Sequence, residues 1–426
     1  RELSLQRLLA NVNLNGCKKS SMPDPITLAN AVQAGERRLH ELTDAEDVDA
    51  DTAAAARRLI VEEHADITLD AVSEYGFPAV EATANIENMI GTIDIPVGVA
   101  GPVMINGGAL TGKRYLPLAT TEGALLASVN RGCAVLSAAG GAVVRVMKSG
   151  MSRAPVFRVD NVVTAKALVE WVRDNVDLLR DAAEETTSHG KLESVTPYAV
   201  GRSVYLRFRY DTKDAMGMNM ATIATEAACE VVERETDAEL IALSGNLCTD
   251  KKPAAINAVE GRGRTVTADV TIPRETVIDR LHTTPGAVAE LNTRKNLVGS
   301  AKAGSLGFNA HVANVVAAMF IATGQDEAQV VEGANAITTA EVRDNDLYVS
   351  VSIASLEVGT VGGGTTLPAQ AEALNILGIK GGGTPPGSNA DGLAECIATG
   401  ALAGELSLLS ALASRNLSTA HADLGR

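Results

Sequence analysis

The chain has few aromatic residues, few cysteines and no long apolar run, and each absence excludes a class of protein. Aromatic residues make up 3% of the 426 positions. The longest apolar run, residues 312–322, is broken by Asn314 and is too short to cross a bilayer. The N-terminus lacks the apolar core of a secretory signal. The five cysteines lack the paired spacing of a metal site, so the sequence predicts a reduced cytoplasmic protein without a bound metal.

Positive charge is scarce as well, because lysine supplies only 12 of the 37 basic residues and the net charge is −15. A chain this acidic repels nucleic acid and anionic membrane surfaces, so neither is an expected partner. The acidic surplus is typical of proteins from a salt-loaded cytoplasm, where dissolved ions screen self-repulsion. A hydrophobic content of 46% with 21% charged residues indicates a globular protein large enough for two or three domains.

Two segments of different character precede the main body of the chain. Residues 1–22 are mildly basic and end at Met22, which precedes Pro-Asp-Pro in the manner of a second start. We expect an extension there that is not native or is disordered. Residues 23–90 are rich in alanine, leucine and glutamate and are predicted to be helical, and residues 43–46 within them resemble a capping box.

Residues 154–243 have a distinct pattern of predicted strands and helices. The pattern predicts a strand at 156–159, a helix at 162–180, strands at 192–200 and 204–210, a helix at 218–234 and a strand at 239–243. That order, βαββαβ, is the ferredoxin-like unit. We expect it to be inserted in a larger α/β domain of residues 91–153 and 256–426, with residues 244–255 as the connecting loop. The predicted fold class is therefore a multidomain α+β and α/β protein.

The larger domain contributes elements of both kinds. Helices are predicted at 121–136, 310–323 and 401–414, and strands at 266–272 and 347–358. The segment before them, residues 91–102, is punctuated by glycine and proline and is predicted to form turns and short strands. The chemistry-bearing residues fall mostly in the loops between these elements.

Asp250, Lys251 and Lys252 are the most informative run of charges. They follow the apolar residues 240–243 closely and stand side by side, so they cannot all share one solvated face. Pro253 follows directly and favours an extended or turn conformation at Lys252. This arrangement suits the aiming of ammonium groups at a small anionic substrate. An exposed charged turn is the alternative, since such charges are mostly exposed.

Three further residues could carry proton chemistry. Glu122 lies in a small and apolar segment, where desolvation would keep its carboxyl protonated to higher pH. A glutamate beside a threonine cap at a helix start is the alternative. Asp326 follows an apolar helix and could orient a lysine or share a proton with Glu122, unless it is only a charge in a turn. His421 stands near the C-terminus, where a surface histidine is the alternative.

The chain has no familiar nucleotide-binding motif. Neither a G-x-G-x-x-G fingerprint nor a P-loop is present, so any dinucleotide site must be of another kind. Residues 214–219, Asp-Ala-Met-Gly-Met-Asn, lead into a predicted helix and could place a glycine and a helix N-terminus against a phosphate. A turn followed by core methionines is the alternative. The glycine-rich residues 359–365 follow a strand and could also pass close to a ligand.

Seven segments together resemble 3-hydroxy-3-methylglutaryl-CoA (HMG-CoA) reductase, in order and without large gaps from about residue 75 onward. They are residues 87–91, 96–102, 121–123, 214–219, 244–257, 324–326 and 359–365. The likeness is to the class I biosynthetic form in its archaeal, halophile-like variant. It implies the four-electron reduction of (S)-HMG-CoA with two NADPH per turnover. The products would be CoA and mevalonate, at the committed step of the route to isoprenoids and ether lipids.

The resemblance also implies a catalytic set. Lys251 would stabilise the developing oxyanion, first of the thioester and then of the aldehyde. Glu122 would donate a proton to that oxygen, and Asp326 would tie Lys251 and Glu122 into one network that titrates as a coupled set. His421 would protonate the departing CoA thiolate.

The remaining implied contacts concern the substrate, the cofactor and a second copy of the chain. The substrate would be held by Arg153, Ser244, Asp250 and Lys252. The cofactor would be held by Asp214, Met216, Gly217, Met218, Asn219 and Asn314, with Arg202 on the 2′-phosphate that distinguishes NADPH from NADH. The ferredoxin-like unit would be the cofactor-binding domain. Sites in this family are completed across an interface, which implies a homodimer or a dimer of dimers as well as HMG-CoA and CoA as partners.

Two other interpretations remain open from the sequence. One is an NADH-linked relative that mainly oxidises mevalonate, against which Arg202 argues. The other is an inactive CoA- or nucleotide-binding relative, against which the retention of all four chemical groups argues. Comparing the two nicotinamide cofactors and assaying turnover would distinguish them.

Overall fold

Two units, Arg1–Asp94 and Ile95–Arg426, divide the chain in the computed structural model, which describes residues 23–43 and 48–414. The predicted extension over residues 1–22 lies outside the described residues, as does all but the first residue of the predicted capping box. His421 also lies outside them. Every other predicted site residue falls in the described part of the second unit.

The described part of the first unit consists of short helices. They are α1 (Pro25–Gln33), α2 (Ala50–Ala65) and α3 (Asp70–Ser73), with 3-10 turns at Leu39–Leu42 and Ala79–Ala82. Asp24 caps α1, and Asp49 caps α2 by accepting the N–H of Thr52. A small apolar core is formed by Leu28, Leu42, Val48, Ala53 and Ala56. The helical pattern of this region is thus broken into separate short helices.

Strands of one continuous, mainly antiparallel sheet dominate the second unit. They are β1 (Val97–Asn106), β2 (Thr111–Ala119), β3 (Ala142–Arg153), β4 (Val156–Arg158), β5 (Lys191–Val200), β6 (Ser203–Asp211), β7 (Glu239–Ala242), β8 (Arg262–Ile272), β9 (Ala336–Arg343) and β10 (Asp346–Leu356). Their order is β7-β4-β6-β3-β8-β10-β9, with β5 also paired to β6 and the β1–β2 hairpin attached to β3. The short β1–β3 pairing is parallel, and the other strand pairs are antiparallel.

Helices pack on this sheet and connect its strands. They are α4 (Leu125–Ala138), α5 (Val162–Asp174), α6 (Val176–Glu185), α7 (Met218–Glu235), α8 (Ala255–Glu260), α9 (Arg274–Leu281), α10 (Pro285–Leu291), α11 (Ser300–Ala303), α12 (Val312–Thr323), α13 (Val330–Gly333), α14 (Pro368–Leu377) and α15 (Ser388–Ala413). A π-helical turn spans Asn292–Gly299, and 3-10 turns span Glu327–Gln329 and Gly363–Thr366. Most of these helices follow directly on a strand or a short loop.

Strand β3 joins two parts of the sheet, each of which covers its own core. Residues 143–150 pair with β8, whereas Met151, Ser152 and Arg153 pair with β6. The larger core lies between the strands around β8 and the helices α4, α12 and α15. The second core lies between β4–β6 and the helices α5–α7 and includes Phe157 and Phe208. The fold is a mixed α/β architecture with a mainly antiparallel sheet.

The second core is built by seven consecutive elements between residues 156 and 242. Their strands stand side by side in the order β7-β4-β6-β5. The single helix predicted over residues 162–180 is instead two helices, α5 and α6. Asn175, with φ of −120° and ψ of 27°, interrupts the regular helical geometry between them.

Helix α15 is the central helix of the larger core. It begins at Ser388, so the start predicted at residue 401 is wrong by more than three turns. Its first half is made mostly of small residues and, from Gly392 onward, is buried on all sides, so it shows no amphipathic periodicity. By length and composition α15 could cross a membrane, but 83% of its most apolar stretch is buried inside the protein. It is therefore a core helix.

Candidate active site

Lys251 and Asp326 form the ion pair at the centre of the candidate site. Lys251 lies in the irregular segment between β7 and α8, and its Nζ is 2.8 Å from Oδ2 of Asp326. Asp326 begins the turn after α12, where its Oδ1 accepts the N–H of Ala328. The hydrogen bond to Asp326 raises the pKa of Lys251, against the opposing effect of desolvation. The ammonium group therefore keeps its charge at neutral pH.

Asp250, the neighbour of Lys251, is half-buried and binds groups beneath the loop. Its Oδ1 is 3.1 Å from Nη2 of the buried Arg262 and accepts a hydrogen bond of 2.8 Å from Nε2 of Gln329. Burial alone would raise the pKa of Asp250, but the hydrogen bond and the charge of Arg262 outweigh it, so the pKa lies below its ordinary value. The alternative of an exposed charged turn therefore fails for Asp250, although Lys251 and Lys252 are exposed.

The other predicted substrate residues lie on the same segment or at the end of β3. Nζ of Lys252 donates to the backbone oxygen of Asp250 at 2.9 Å, and Oγ of Ser244 is 3.5 Å from Sγ of Cys248. Burial raises the pKa of Asp250, and the charge of Arg153 lowers it, less strongly than Gln329, Arg262 and Lys251 do. Within the described chain, the buried Nε of Arg153 has no hydrogen-bond partner. The Arg153 guanidinium is thus within electrostatic range of Asp250.

Glu122 is separate from the lysine–aspartate pair in its described contacts. It is exposed in the turn before α4, and with Asn314 it lines a cavity of ≈ 180 Å³. The desolvated setting predicted for its carboxyl is wrong for the single chain, because this turn is open to solvent. Among residues 23–43 and 48–414, no hydrogen bond or ion pair joins its side chain to Lys251 or Asp326. That part of the predicted network stays a prediction.

Asp214 ties the loop before α7 to the start of α15. Its Oδ2 accepts the N–H groups of Gly383 and Gly387 at 2.9 and 2.7 Å, and its Oδ1 accepts those of Asn389 and Ala390 at 3.0 and 3.1 Å. A carboxylate has about four lone-pair sites, so these four donors fill it. The direct cofactor contact predicted for the Asp214 side chain is therefore corrected to a supporting role, in which it positions the loop.

The rest of the predicted cofactor segment forms the start of α7. Gly217 precedes the helix with φ of 89°, and no side chain in the described residues caps it. Met216 and Met218 pack partly against the second core, and Asn219 is exposed. Sδ of Met218 also lies 2.9 Å from Nη2 of Arg262. The alternative of core methionines accounts for the two methionines but leaves the first N–H groups of α7 open to a ligand.

The glycine-rich residues 359–365 pack against this segment. The N–H of Gly359 donates to Oε1 of Gln325 at 2.8 Å, and the N–H of Thr360 donates to the backbone oxygen of Asp214 at 2.8 Å. A Cβ on residue 359 would lie 2.4 Å from the backbone nitrogen of Met216, so only glycine permits this approach. Three segments that are far apart in sequence, at 214–219, 324–326 and 359–365, therefore meet here.

Arg202 occupies the turn between β5 and β6 and is exposed. Its Nε donates to the backbone oxygen of Val159 at 2.8 Å. Its two terminal nitrogens make no hydrogen bond or ion pair within the described part of the chain. The guanidinium is thus oriented at its base and available for an anion at its end.

A buried polar cluster that the sequence did not predict lies beneath Asp250. Its members are Arg207, Asn257, Arg262, Gln329, Glu332 and Glu357. Nη1 of Arg262 is 2.9 Å from Oε2 of Glu332 and 3.5 Å from Oε1 of Glu357. The available signal was a charged residue within or next to a strand, as at Arg207, Arg262 and Glu357. Within the described ranges, no group of three or more His, Cys, Asp or Glu side chains is arranged to hold a metal ion.

A second buried arginine, Arg264, stands two residues further along β8. It donates to the backbone oxygens of Lys213 and Val358 and, at 3.1 Å, to Oδ1 of Asp391. Gly263 separates the two arginines with φ of 69°, in a bulge where Leu356 pairs with both residues 263 and 264. Arg262 therefore holds the loop of Lys251, whereas Arg264 holds the loop that leads to α7.

The fold and the lysine–carboxylate pair define a mixed α/β enzyme, and its relatives show which family it belongs to. Residues 53–426 match the family described as hydroxymethylglutaryl-coenzyme A reductase. The chain is 75% identical over 405 residues to 3-hydroxy-3-methylglutaryl-coenzyme A reductase of Haloferax volcanii, with 95% of this chain and 100% of that protein covered. It is 68% identical over 407 residues to the protein of that name from Halobacterium salinarum, with 95% and 100% covered. The chain belongs to the hydroxymethylglutaryl-coenzyme A reductase family.

A solved structure shares the fold at low sequence identity. It is the class II 3-hydroxy-3-methylglutaryl-CoA reductase from Streptococcus pneumoniae bound to NADPH, with a TM-score of 0.65 and 19% identity. The match covers 84% of this chain and 96% of that chain. At this identity the likeness concerns the fold alone, and it confirms the mixed α/β architecture. The relatives from halophilic archaea confirm the expected archaeal form.

Proposed function

We propose that this protein reduces (S)-3-hydroxy-3-methylglutaryl-CoA to mevalonate and CoA, with NADPH as the reductant, in the cytoplasm. The observation that carries the proposal is the 2.8 Å ion pair between Lys251 and Asp326, in a chain 75% identical to a reductase of that name. Addition of hydride to the thioester carbonyl gives a hemithioacetal, which expels the CoA thiolate to leave an aldehyde. Addition of a second hydride gives the alcohol, so four electrons are taken up. NADPH supplies the hydride in each half when it is bound.

Lys251 stabilises the negative charge that develops on the carbonyl oxygen in both halves of the reaction. Asp326 fixes the direction of the ammonium group and, by raising the pKa of Lys251, keeps it charged. A preorganised donor of this kind is worth about 3–4 kcal/mol of transition-state stabilisation. The segment between β7 and α8 thus supplies the positive charge at the reacting carbonyl.

Two proton donors complete the chemistry. Glu122 delivers a proton to the carbonyl oxygen, and His421, outside the described residues, protonates the thiolate as it leaves. Because Glu122 is exposed in the single chain, bound substrate or a second copy of the chain must enclose it for this proton transfer. A homodimer or dimer of dimers of the class I type is therefore part of the proposal.

Substrate binding is assigned to the residues around Asp250. Arg153 and Lys252 offer positive charge to the free carboxylate of the substrate, and the unpartnered buried Nε of Arg153 supports a ligand there. Asp250 uses Oδ1 for Arg262 and Gln329, which leaves Oδ2 for the substrate hydroxyl. Ser244 supplies a further hydroxyl on the same loop. These groups fix the orientation of the reacting carbonyl.

The cofactor is assigned to the start of α7 and its neighbours. The uncapped N–H groups of this helix suit a pyrophosphate, and the free end of Arg202 suits a 2′-phosphate. Met216, Gly217, Met218 and Asn219 line the approach, Asp214 holds their loop, and Asn314 contributes from α12. In this proposal residues 154–243 form an inserted ferredoxin-like cofactor domain, and residues 244–255 connect it to the larger domain of residues 91–153 and 256–426.

The test is NADPH oxidation with HMG-CoA in molar salt, for the wild type, Lys251→Ala and the matched control Lys166→Ala. Lys166 is an exposed lysine on α5, and within residues 23–43 and 48–414 its one ion pair is with Glu170 in its own helix. We expect turnover in the wild type and the control and its loss in Lys251→Ala. Wild-type protein that oxidises mevalonate with NADH but does not reduce HMG-CoA with NADPH would refute the proposal.

A further inference from the structure

Arg262 supports the catalytic segment, defined here as residues 246–251. Its guanidinium is fully buried at the start of β8, where it lies 3.1 Å from Asp250, 2.9 Å from Glu332 and 3.5 Å from Glu357. A desolvated cation attracts its partners far more strongly than an exposed one. The catalytic segment is thus tied to the interior by charge.

The backbone of the catalytic segment adopts a conformation that its residues disfavour. Asn246, Thr249 and Lys251 have φ of 63°, 53° and 60°, in the left-handed region. Among the described residues, nine that are not glycine have positive φ, and three of them lie in this segment. The region is especially unfavourable for a β-branched residue such as Thr249, and it persists only where the surroundings enforce it. The segment therefore needs a restraint from outside.

Buried side chains provide that restraint on both sides of Thr249. Before it, Arg207 donates to the backbone oxygen of Leu247. After it, Asp250 is held by Arg262 and by the 2.8 Å hydrogen bond from Gln329. Gln329 also accepts from Arg262 at 3.2 Å, so the two restraints on Asp250 are coupled.

Glu332 and Glu357 in turn hold Arg262, and both are fully buried. Two ionised carboxylates cannot hydrogen-bond each other, and neither oxygen of Glu357 has a donor among the described residues. Burial and the adjacent Glu332 raise the pKa of Glu357 well above its usual range, which favours its neutral form. With Glu357 neutral, Arg207 and Arg262 balance Asp250 and Glu332 charge for charge.

We propose that Arg262 is a positioning residue, which holds Lys251 against Asp326 by anchoring Asp250, and that the Glu332–Glu357 pair fixes Arg262 through one shared proton. Lysine cannot substitute for Arg262, because a guanidinium presents a planar fork of five donors whereas an ammonium is a compact point charge. The kinetic consequence rests on the proposed reductase function. The anchoring of the catalytic segment by Arg262 does not depend on that function.

The experiment compares Arg262→Lys and Glu357→Gln with the control Glu395→Gln. Glu395 is also buried, but its carboxylate accepts the N–H groups of Gly108 and Leu110, outside the catalytic segment. For each full-length protein, kcat, both KM values, the pH dependence of kcat and the midpoint of thermal unfolding are measured. The control shows what destabilisation alone does to turnover.

Arg262→Lys is expected to lower kcat about 10- to 100-fold, the effect of moving a reacting group by about 1 Å. The alkaline limb of its pH dependence of kcat moves to lower pH. Glu357→Gln keeps the size and the donor of a protonated glutamic acid, so its kcat stays near the wild-type value. Glu395→Gln lowers the unfolding midpoint without changing kcat.

Two kinetic outcomes overturn the proposal. An Arg262→Lys enzyme with an unmoved alkaline limb, and a loss of kcat no larger than the control's, shows that Arg262 does not position Lys251. A Glu357→Gln enzyme as impaired as Arg262→Lys shows that Glu357 acts as an anion, which removes the shared proton.

A second measurement is independent of turnover. Acetylation of Lys251 by an N-hydroxysuccinimide ester is followed by mass spectrometry, with the exposed Lys166 as internal reference. Only the neutral amine reacts, so weakening of the contact with Asp326 accelerates the reaction at Lys251 and not at Lys166. Equal Lys251 rates in the wild type and Arg262→Lys overturn the proposal. Wild-type protein that fails to reduce HMG-CoA refutes the proposed function, while this measurement still decides the role of Arg262.

Discussion

The backbones of Gly359 and Met216 approach so closely that a Cβ on residue 359 would lie 2.4 Å from the Met216 nitrogen. A ladder-like bridge between Ala215 and Val361 accompanies this approach. The glycine-rich loop and the segment that leads into α7 are therefore one packed unit. Any side chain at residue 359 must push the glycine-rich loop away from the segment that leads into α7.

Gly359→Ala is expected to weaken cofactor binding more than substrate binding, because the clash falls on the segment assigned to the cofactor. Overpacking of this kind costs about 1–3 kcal/mol, which corresponds to a rise in the Kd for NADPH of about 5- to 150-fold if it falls wholly on the bound state. Titration of NADPH fluorescence measures it. The control is Gly286→Ala, since a Cβ at residue 286 meets nothing within 4 Å. A wild-type Kd in Gly359→Ala contradicts the assignment.

Asp326→Asn is expected to move the alkaline limb of kcat to lower pH as well as to reduce its maximum. Asp326 raises the pKa of Lys251, so the charged ammonium persists to higher pH with the carboxylate than without it. The amide keeps the shape but removes that charge. Rates from pH 6 to 10 check the shift. An alkaline limb at the wild-type position would mean that another group sets it.

Asp214→Asn is expected to destabilise the protein, because an amide offers one acceptor oxygen where four backbone N–H groups now bind a carboxylate. Each buried donor left without a partner costs about 1–3 kcal/mol. The free energy of unfolding in urea measures the loss. Asp279→Asn, at an exposed position on α9, should match the wild type. Equal stability of both variants would mean that Asp214 does not hold α15 in place.

Glu357→Gln is expected to alter how stability depends on pH. The pKa of Glu357 is raised in the folded state, so above its unfolded value of about 4.3 the folded protein binds a proton that the unfolded chain has released. The free energy of unfolding therefore falls as pH rises from there towards the folded-state pKa, by up to about 1.4 kcal/mol per pH unit. Glutamine has no proton to lose.

Urea unfolding at several pH values between 5 and 8 checks this slope. The exposed Glu372→Gln should keep the wild-type slope, whereas Glu357→Gln should lack this component of it. Parallel curves for the wild type and Glu357→Gln would show that Glu357 is ionised in the folded protein.

Elements with a local pattern could be predicted from the sequence. Residues 204–210 alternate between apolar and polar, and the structure has a strand there, Ser203–Asp211. The β1 strand, Val97–Asn106, gave no such signal, because Gly98, Gly101 and Pro102 interrupt it and its partner strands lie elsewhere in the chain. A strand interrupted in this way owes its conformation to tertiary pairing and not to local propensity.

The candidate site also has one part that could be predicted from the sequence and one part that could not. The adjacency of Asp250 and Lys251 marks a functional loop in the sequence itself. The contact between Arg262 and Glu332 joins positions 70 residues apart, and that between Arg262 and Glu357 joins positions still further apart. A single sequence carries no record of such pairings. What it does carry is the presence of two arginines at the start of a strand in which polar and apolar residues alternate.

The two arginines of β8 also bear on how this protein can change over evolutionary time. Arg262 and Arg264 sit on α-carbons no more than about 7 Å apart, and each holds a different loop. The spacing between those loops is therefore set by one short stretch of strand. Substitutions inside either loop can accumulate without disturbing the other. A single insertion between the arginines would misalign both loops together, so we expect new substrate preferences to arise by changing loop residues while the Arg-Gly-Arg triplet stays intact.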